Sequence, residues 1–166
     1  FEPPEHAVMS RPPRNARDPI LSTFLIWRLV FVSTILVSGT FGLFLWSRSL
    51  GLPIEEARTV AVNTLVMFEA FYLFNSRYIF ASVFSPNGFT GNRYVPIAVV
   101  LVITFQLIYT YSPPMQVLFG STALSIDQWL LIILVASSVF FLVEAEKWLI
   151  RYYKAHPKLF TRTGLY

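Results

Sequence analysis

Residues 21–46 read LSTFLIWRLVFVSTILVSGTFGLFLW, a run with one charged side chain, Arg28. A bilayer's hydrocarbon core is about 30 Å thick, and a helix needs roughly 20 mostly apolar residues to cross it. Three further blocks, 60–80, 95–111 and 129–148, read the same way. None alternates polar with apolar residues as a membrane barrel strand would, and lipid offers no partner for an unpaired backbone group. Each block therefore reads as a helix. The expectation is an all-α membrane protein, a four-helix transmembrane bundle over 21–148. A cytoplasmic loop over 1–20 precedes it, and a basic cytoplasmic tail over 149–166 follows.

Composition agrees. Of the 166 residues, 55% are hydrophobic and 13% charged, against about 25% charged in ordinary soluble domains. So few charges cannot cover a water-facing surface. There is no cysteine, which excludes disulfides and thiolate metal sites. The chain opens at Phe1 on a polar, proline-rich stretch, reads as a piece of something longer, and shows no signal peptide.

The punctuation supports the spans. Pro53, Pro86, Pro113, Pro114 and Pro157 fall in expected loops or the tail, and Pro96 falls in the first turn of the third span, where a missing N–H is harmless. All four tryptophans, Trp27, Trp46, Trp129 and Trp148, lie near expected span ends, as an interfacial aromatic belt requires. Arg11, Arg14 and Arg17 precede the first span, Arg77 and Arg93 lie between the second and third, and the tail carries Arg151, Lys154, Lys158 and Arg162. The two opposite loops hold only Arg48 and Arg58, offset by Glu55 and Glu56. This bias places both termini in the cytoplasm.

Glu69 stands out. It sits mid-way along the second span, where a charged side chain costs about 2.5–3.5 kcal/mol on insertion scales. Such a group faces a bundle interior or an aqueous path, and a carboxylate there suits a hard cation. The plainer alternative is a protonated glutamate held by a neighbouring hydroxyl. At 100° per residue Ser76 shares the face of Glu69, whereas Asn63 and Asn75 sit to its sides. Gln106, deep in the third span, is better explained by an interhelical hydrogen bond than by ion binding. Arg28 lies close enough to the cytoplasmic interface to snorkel, and Glu144 can pair with Lys147 at i, i+3. Ser38, Gly39 and Gly42 make a small-residue surface that allows close approach of another helix. The run Arg11-Pro12-Pro13-Arg14 could meet anionic headgroups or nucleic acid, but its place just before a span makes it a docking and topogenic segment. No phosphate loop or activated nucleophile is present, and His6 and His156 lie in opposite tails without partner ligands.

The stretch Phe1-Glu2-Pro3-Pro4-Glu5-His6-Ala7-Val8-Met9-Ser10-Arg11-Pro12-Pro13-Arg14 resembles the loop after the sixth membrane helix of calcium-pump-like (P2-type) cation-transporting P-type ATPases. Pro19-Ile20-Leu21 with Arg28 looks like the start of that family's seventh helix. The segment from Thr59 through Glu69 to Asn75-Ser76 is similar to its eighth, and Ser112-Pro113-Pro114 with Gln128-Trp129 resembles the turn into its tenth. The resemblance implies the C-terminal transmembrane domain of such a pump. It implies that Glu69 is one carboxylate ligand of a transported cation, with calcium favoured, and that the other ligands lie in helices outside this chain. It further implies that Arg11 and Arg14 couple to a cytoplasmic domain, and that the surface at Ser38, Gly39 and Gly42 packs on another helix of the pump. ATP and Mg belong to the absent part; the partners are the remaining helices and cytoplasmic domains of the same pump and the lipid bilayer, with no nucleic acid. The short loop over 47–58 suggests a bacterial-type cell-membrane enzyme. On this reading Glu69 also takes up a proton when its cation leaves, because burial disfavours a bare carboxylate. The rival readings are a stand-alone four-helix membrane protein that stabilises or regulates a partner, and a channel or carrier, for which the spans hold too few polar positions.

Overall fold

The computed structural model describes residues 23–76 and 94–155, and among these residues every regular element is a helix. They are α1 (Thr23–Ser49), α2 (Ile54–Ser76), α3 (Tyr94–Tyr111), α4 (Pro113–Phe119) and α5 (Ile126–Ala155). Local sequence sets their ends. Gly51 takes φ +79 after α1, its N–H donates to the Arg48 carbonyl at 3.0 Å, and the Leu52 N–H donates to the Ser47 carbonyl at 3.3 Å. This pair of bonds is a Schellman ending, which needs a residue with no Cβ penalty at the left-handed position. Pro53 follows at once, and α2 begins with Glu55 and Glu56 in its first turn, where the helix dipole favours acids.

The join between α3 and α5 differs from expectation. Sequence places Pro113 and Pro114 in a turn, yet they occupy the first positions of a short helix, α4. Proline is tolerated there because those N–H groups have no helical partner anyway. Gly120, at φ +63, ends it. Ser125 then opens α5 through a reciprocal capping box: its N–H donates to Gln128 Oε1 at 2.7 Å, and the Gln128 N–H donates to Ser125 Oγ at 3.3 Å.

Helix α2 sits in the middle of the bundle, packed most extensively on α5 and α1 and less so on α3. The core joins Val32, Leu36 and Leu43 of α1 to Val60, Met67 and Phe68 of α2 and to Ile132, Ala136, Val139 and Val143 of α5. Gly39 shows how closely α1 and α2 approach. A Cβ built there would lie 2.4 Å from the ring of Phe68, which is itself completely buried. Between helices in lipid this kind of fit, more than apolar transfer, holds the elements together.

Three described helices are long and apolar enough to cross a membrane: α1 and α5 over Leu25–Ser49 and Ile126–Tyr152, and α3 over Tyr94–Tyr111. Helix α2 forms where the second span was expected, but it is not among the three. Asn63, Thr64, Glu69 and Asn75 lower its hydropathy. Its central position is consistent with this, because α1, α3 and α5 cover much of its surface.

Candidate functional site

The inner face of α2 uses its polar groups as interhelical fastenings. Asn63, fully buried, donates from Nδ2 to Thr110 Oγ1 on α3 at 3.0 Å and to the Thr59 carbonyl at 2.9 Å. Thr59 Oγ1 accepts from the Thr122 N–H at 3.0 Å, tying α2 to the segment before α5. Toward the other end, Asn75 Nδ2 donates to the Phe140 carbonyl at 3.0 Å. The Asn75 carbonyl in turn accepts from Lys147 Nζ at 2.9 Å, and Lys147 also bonds Glu144 at 3.0 Å. This is the Glu144–Lys147 pair expected from the i, i+3 spacing. The structure adds that the ammonium is buried and closes the last turn of α2 onto α5.

A second ion pair corrects the reading of Arg28. It does not snorkel outward as an anchor; it is 7% exposed, and its guanidinium meets Glu146 of α5 at 2.9 Å through Nη2 and 3.2 Å through Nε. The physical reason is proximity: where α5 supplies a carboxylate, a charge-assisted bond in a low-dielectric setting outweighs the reach to water. Glu146 was not singled out from sequence. Only its position two residues after Glu144, at the end of an apolar run, hints at a membrane-depth acid.

Glu69 lies on the outer face of the same helix. It is exposed, and among the described residues it makes no hydrogen bond or ion pair. Ser76 is exposed as well, as the helical spacing from Glu69 expects, while Asn63 and Asn75 are buried. Tyr72, half-buried, lies near Glu69, Arg28 and Glu146. One turn before Glu69, Leu65 borders an open, almost wholly apolar groove of about 430 Å³ between α1 and α2. Thr40 lines it too, and its buried Oγ1 has no partner. No three metal-ligating side chains of the His, Cys, Asp and Glu types converge among the described residues. Among the described residues Glu69 is thus a single acid on an outward face, not part of a complete metal centre.

The other expected positions divide. Gly39 is filled by Phe68 of α2, whereas Ser38 and Gly42 are exposed, and a Cβ at Gly42 would meet nothing within 4 Å. The small-residue surface therefore has one side used inside the chain and one side turned outward. Gln106 is buried, but its Nε2 has no hydrogen-bond partner among the described residues. The side-chain bond from α3 to α2 comes instead from Thr110, one turn later, whose hydroxyl also donates to the Gln106 carbonyl at 2.8 Å. Arg11 and Arg14 lie outside the described residues, as do His6, His156 and the loop with Arg77 and Arg93.

Comparison with known proteins gives a consistent picture. The family described as cation transporting ATPase, C-terminus, matches residues 1–149. A probable cation-transporting ATPase F of Mycobacterium tuberculosis is 36% identical over 146 residues, covering 88% of this chain and 16% of that protein. Calcium-transporting ATPase type 2C member 1 of Homo sapiens is 36% identical over 148 residues, again 88% and 16%. Calcium-transporting ATPase 1 of Saccharomyces cerevisiae is 31% identical over 152 residues, 88% and 15%. The chain spans about one sixth of the length of these relatives.

Proposed function

The chain belongs to the cation-transporting P-type ATPases, as their C-terminal membrane region, and from that premise we propose that it supports the ion path of an ATP-driven pump in which Glu69 supplies one carboxylate to the transported cation. The observation that carries this reading is the contrast on α2. The other polar side chains at depth, Asn63, Thr64 and Asn75, bond to a neighbouring helix or to their own backbone. Glu69 alone points outward without a partner among the described residues. Turned to lipid, that carboxylate would cost several kcal/mol with no return. Turned to helices that this chain lacks, it gains oxygen-rich company and a positive charge to share.

The rest of the reading follows the same logic. The bundle crosses the membrane four times, with α2 as the screened fourth span and both termini in the cytoplasm. The segment 1–20 is a cytoplasmic loop in which Arg11 and Arg14 dock on a cytoplasmic domain, and 149–166 is a basic tail. The groove beside Leu65 and the exposed Ser38 and Gly42 receive another helix of the same pump, which brings the remaining ligands toward Glu69. Calcium is the favoured cargo, in keeping with what two of the relatives are named for transporting. The membrane is that of a bacterial-type cell.

The test is Glu69→Gln in the complete pump, read as cation-dependent ATP hydrolysis and transport into vesicles. The expected outcome is weaker cation affinity or fewer ions moved per ATP, with the protein still inserted. Unchanged affinity and unchanged stoichiometry would remove Glu69 from the ion path.

A further inference from the structure

We propose that α4 is a membrane-interface helix, which immerses Val117, Leu118 and Phe119 in the bilayer's headgroup–acyl boundary at the end of the bundle where α1 turns into α2. Those three consecutive side chains are 87%, 72% and 61% exposed, the most outward apolar run among the described residues. In water such a run is a liability; at a membrane surface it is what an in-plane helix presents.

Four observations point to lipid as the occupant. First, α4 joins the end of α3 to the start of α5, two helices apolar enough to span, so it lies where the bilayer ends. Its end of the bundle is shared with the α1–α2 turn, because the Thr122 N–H bonds Thr59 and Gln128 bonds Glu56. Second, no charged residue occurs between Arg93 and Asp127, so the whole connection lacks the side chains that a water-facing loop carries. Third, its polar groups turn inward. Gln116 Nε2 donates to the Thr110 carbonyl at 2.8 Å, Ser121 Oγ to the Tyr109 carbonyl at 2.7 Å, and Tyr111 Oη to the Leu124 carbonyl at 2.8 Å. Irregular backbone near lipid survives only with such internal partners. Fourth, the apolar triplet is continuous with the outer surface of α3, since the Phe119 ring meets that of Tyr109 at 5.8 Å. Trp129 Nε1 donates to Tyr111 Oη at 2.8 Å at the same level, which places a tryptophan–tyrosine pair where an interfacial belt belongs.

The consequence is a depth marker for the bundle. Through Thr122 and Thr59, the segment that follows α4 is bonded to the first turns of α2, so immersing α4 fixes how far α2 sits below the surface. This inference rests on the chain's place in a membrane and is independent of the role given to Glu69.

The experiment places a single nitroxide label at Leu118→Cys, and separately at Val117→Cys, in the complete pump reconstituted in phosphatidylcholine vesicles, with any cysteines elsewhere in the pump replaced. Both side chains are exposed, so neither substitution disturbs packing, and two sites guard against a local failure. Collision with dissolved oxygen is compared with collision with a water-soluble nickel chelate. Oxygen access several-fold greater than chelate access at both labels is the expected result. Chelate access equal to or above oxygen access places α4 in water and overturns the proposal. Low access to both reagents places it against protein, a partner subunit or another part of the pump, and overturns it equally.

Discussion

On one face of α2, Asn63 and Asn75 are completely buried, and each amide nitrogen donates to a neighbouring helix at 3.0 Å. On the other face Glu69, lying between them in sequence, is exposed and bonds to nothing among the described residues. If α2 is the fourth span, as proposed, both faces place polar groups at membrane depth, where each is costly unless matched. The inner face matches them inside the chain, so its asparagines are structural. The outer face leaves its acid without a partner among the described residues, and on the proposed reading that partner is a cation held with other helices of the pump. A polar residue in a span is thus a demand for a partner, and its rotation about the helix axis tells which partner is meant.

The sharpest way to break this contrast is to remove the buried cation on the inner side. Lys147→Met takes away the ammonium that bonds Glu144 and the Asn75 carbonyl. The expected loss is about 3–5 kcal/mol, the usual cost of breaking a buried pair from one side. It would be measured as a lowered unfolding midpoint of the complete protein in detergent. Pairing it with Glu144→Gln should recover most of the loss; an unaltered midpoint in Lys147→Met would show that the clamp contributes nothing.

Next comes the close approach that lets α2 lie centrally. Gly39→Val drives a side chain into Phe68, and overpacking of this kind costs about 1–3 kcal/mol. An unchanged midpoint in the same thermal assay would mean that Phe68 has room to withdraw. Asn63→Val should cost less, about 0.6 kcal/mol, the typical worth of an interhelical hydrogen bond in a membrane protein. At the foot of the scale, Glu69→Gln in the cation-free protein should shift stability by less than about 0.5 kcal/mol, because the carboxylate bonds nothing among the described residues of this bundle. A large destabilisation there would reassign Glu69 to the structural face and dissolve the contrast.

What sequence could reveal follows from how local each signal is. The long helices were legible because span length, tryptophan placement and proline avoidance are properties of one segment at a time. Glu144 with Lys147 was legible for the same reason, since three residues on a helix are neighbours. The Arg28–Glu146 pair was not, because its members stand 118 residues apart and no pattern in either helix says which faces meet. Gln106 drew attention as the only amide in its span, yet Thr110, a residue of no distinction in sequence, makes the bond to α2. Helix α4 hid behind Pro113 and Pro114, which signal a turn to a reader counting breakers but fit the opening positions of a short helix equally well. That Glu69 and Ser76 share one face followed from helical spacing; that this face is the exposed one, with Asn63 and Asn75 turned inward, depended on how α1, α3 and α5 pack around α2.

The turn at Gly51 has a mechanical consequence. Its two crossed backbone bonds close α1, and only Leu50, Gly51, Leu52 and Pro53 separate it from α2. So short a connection leaves little slack, and an axial shift of α1 would be passed on to the helix that carries Glu69.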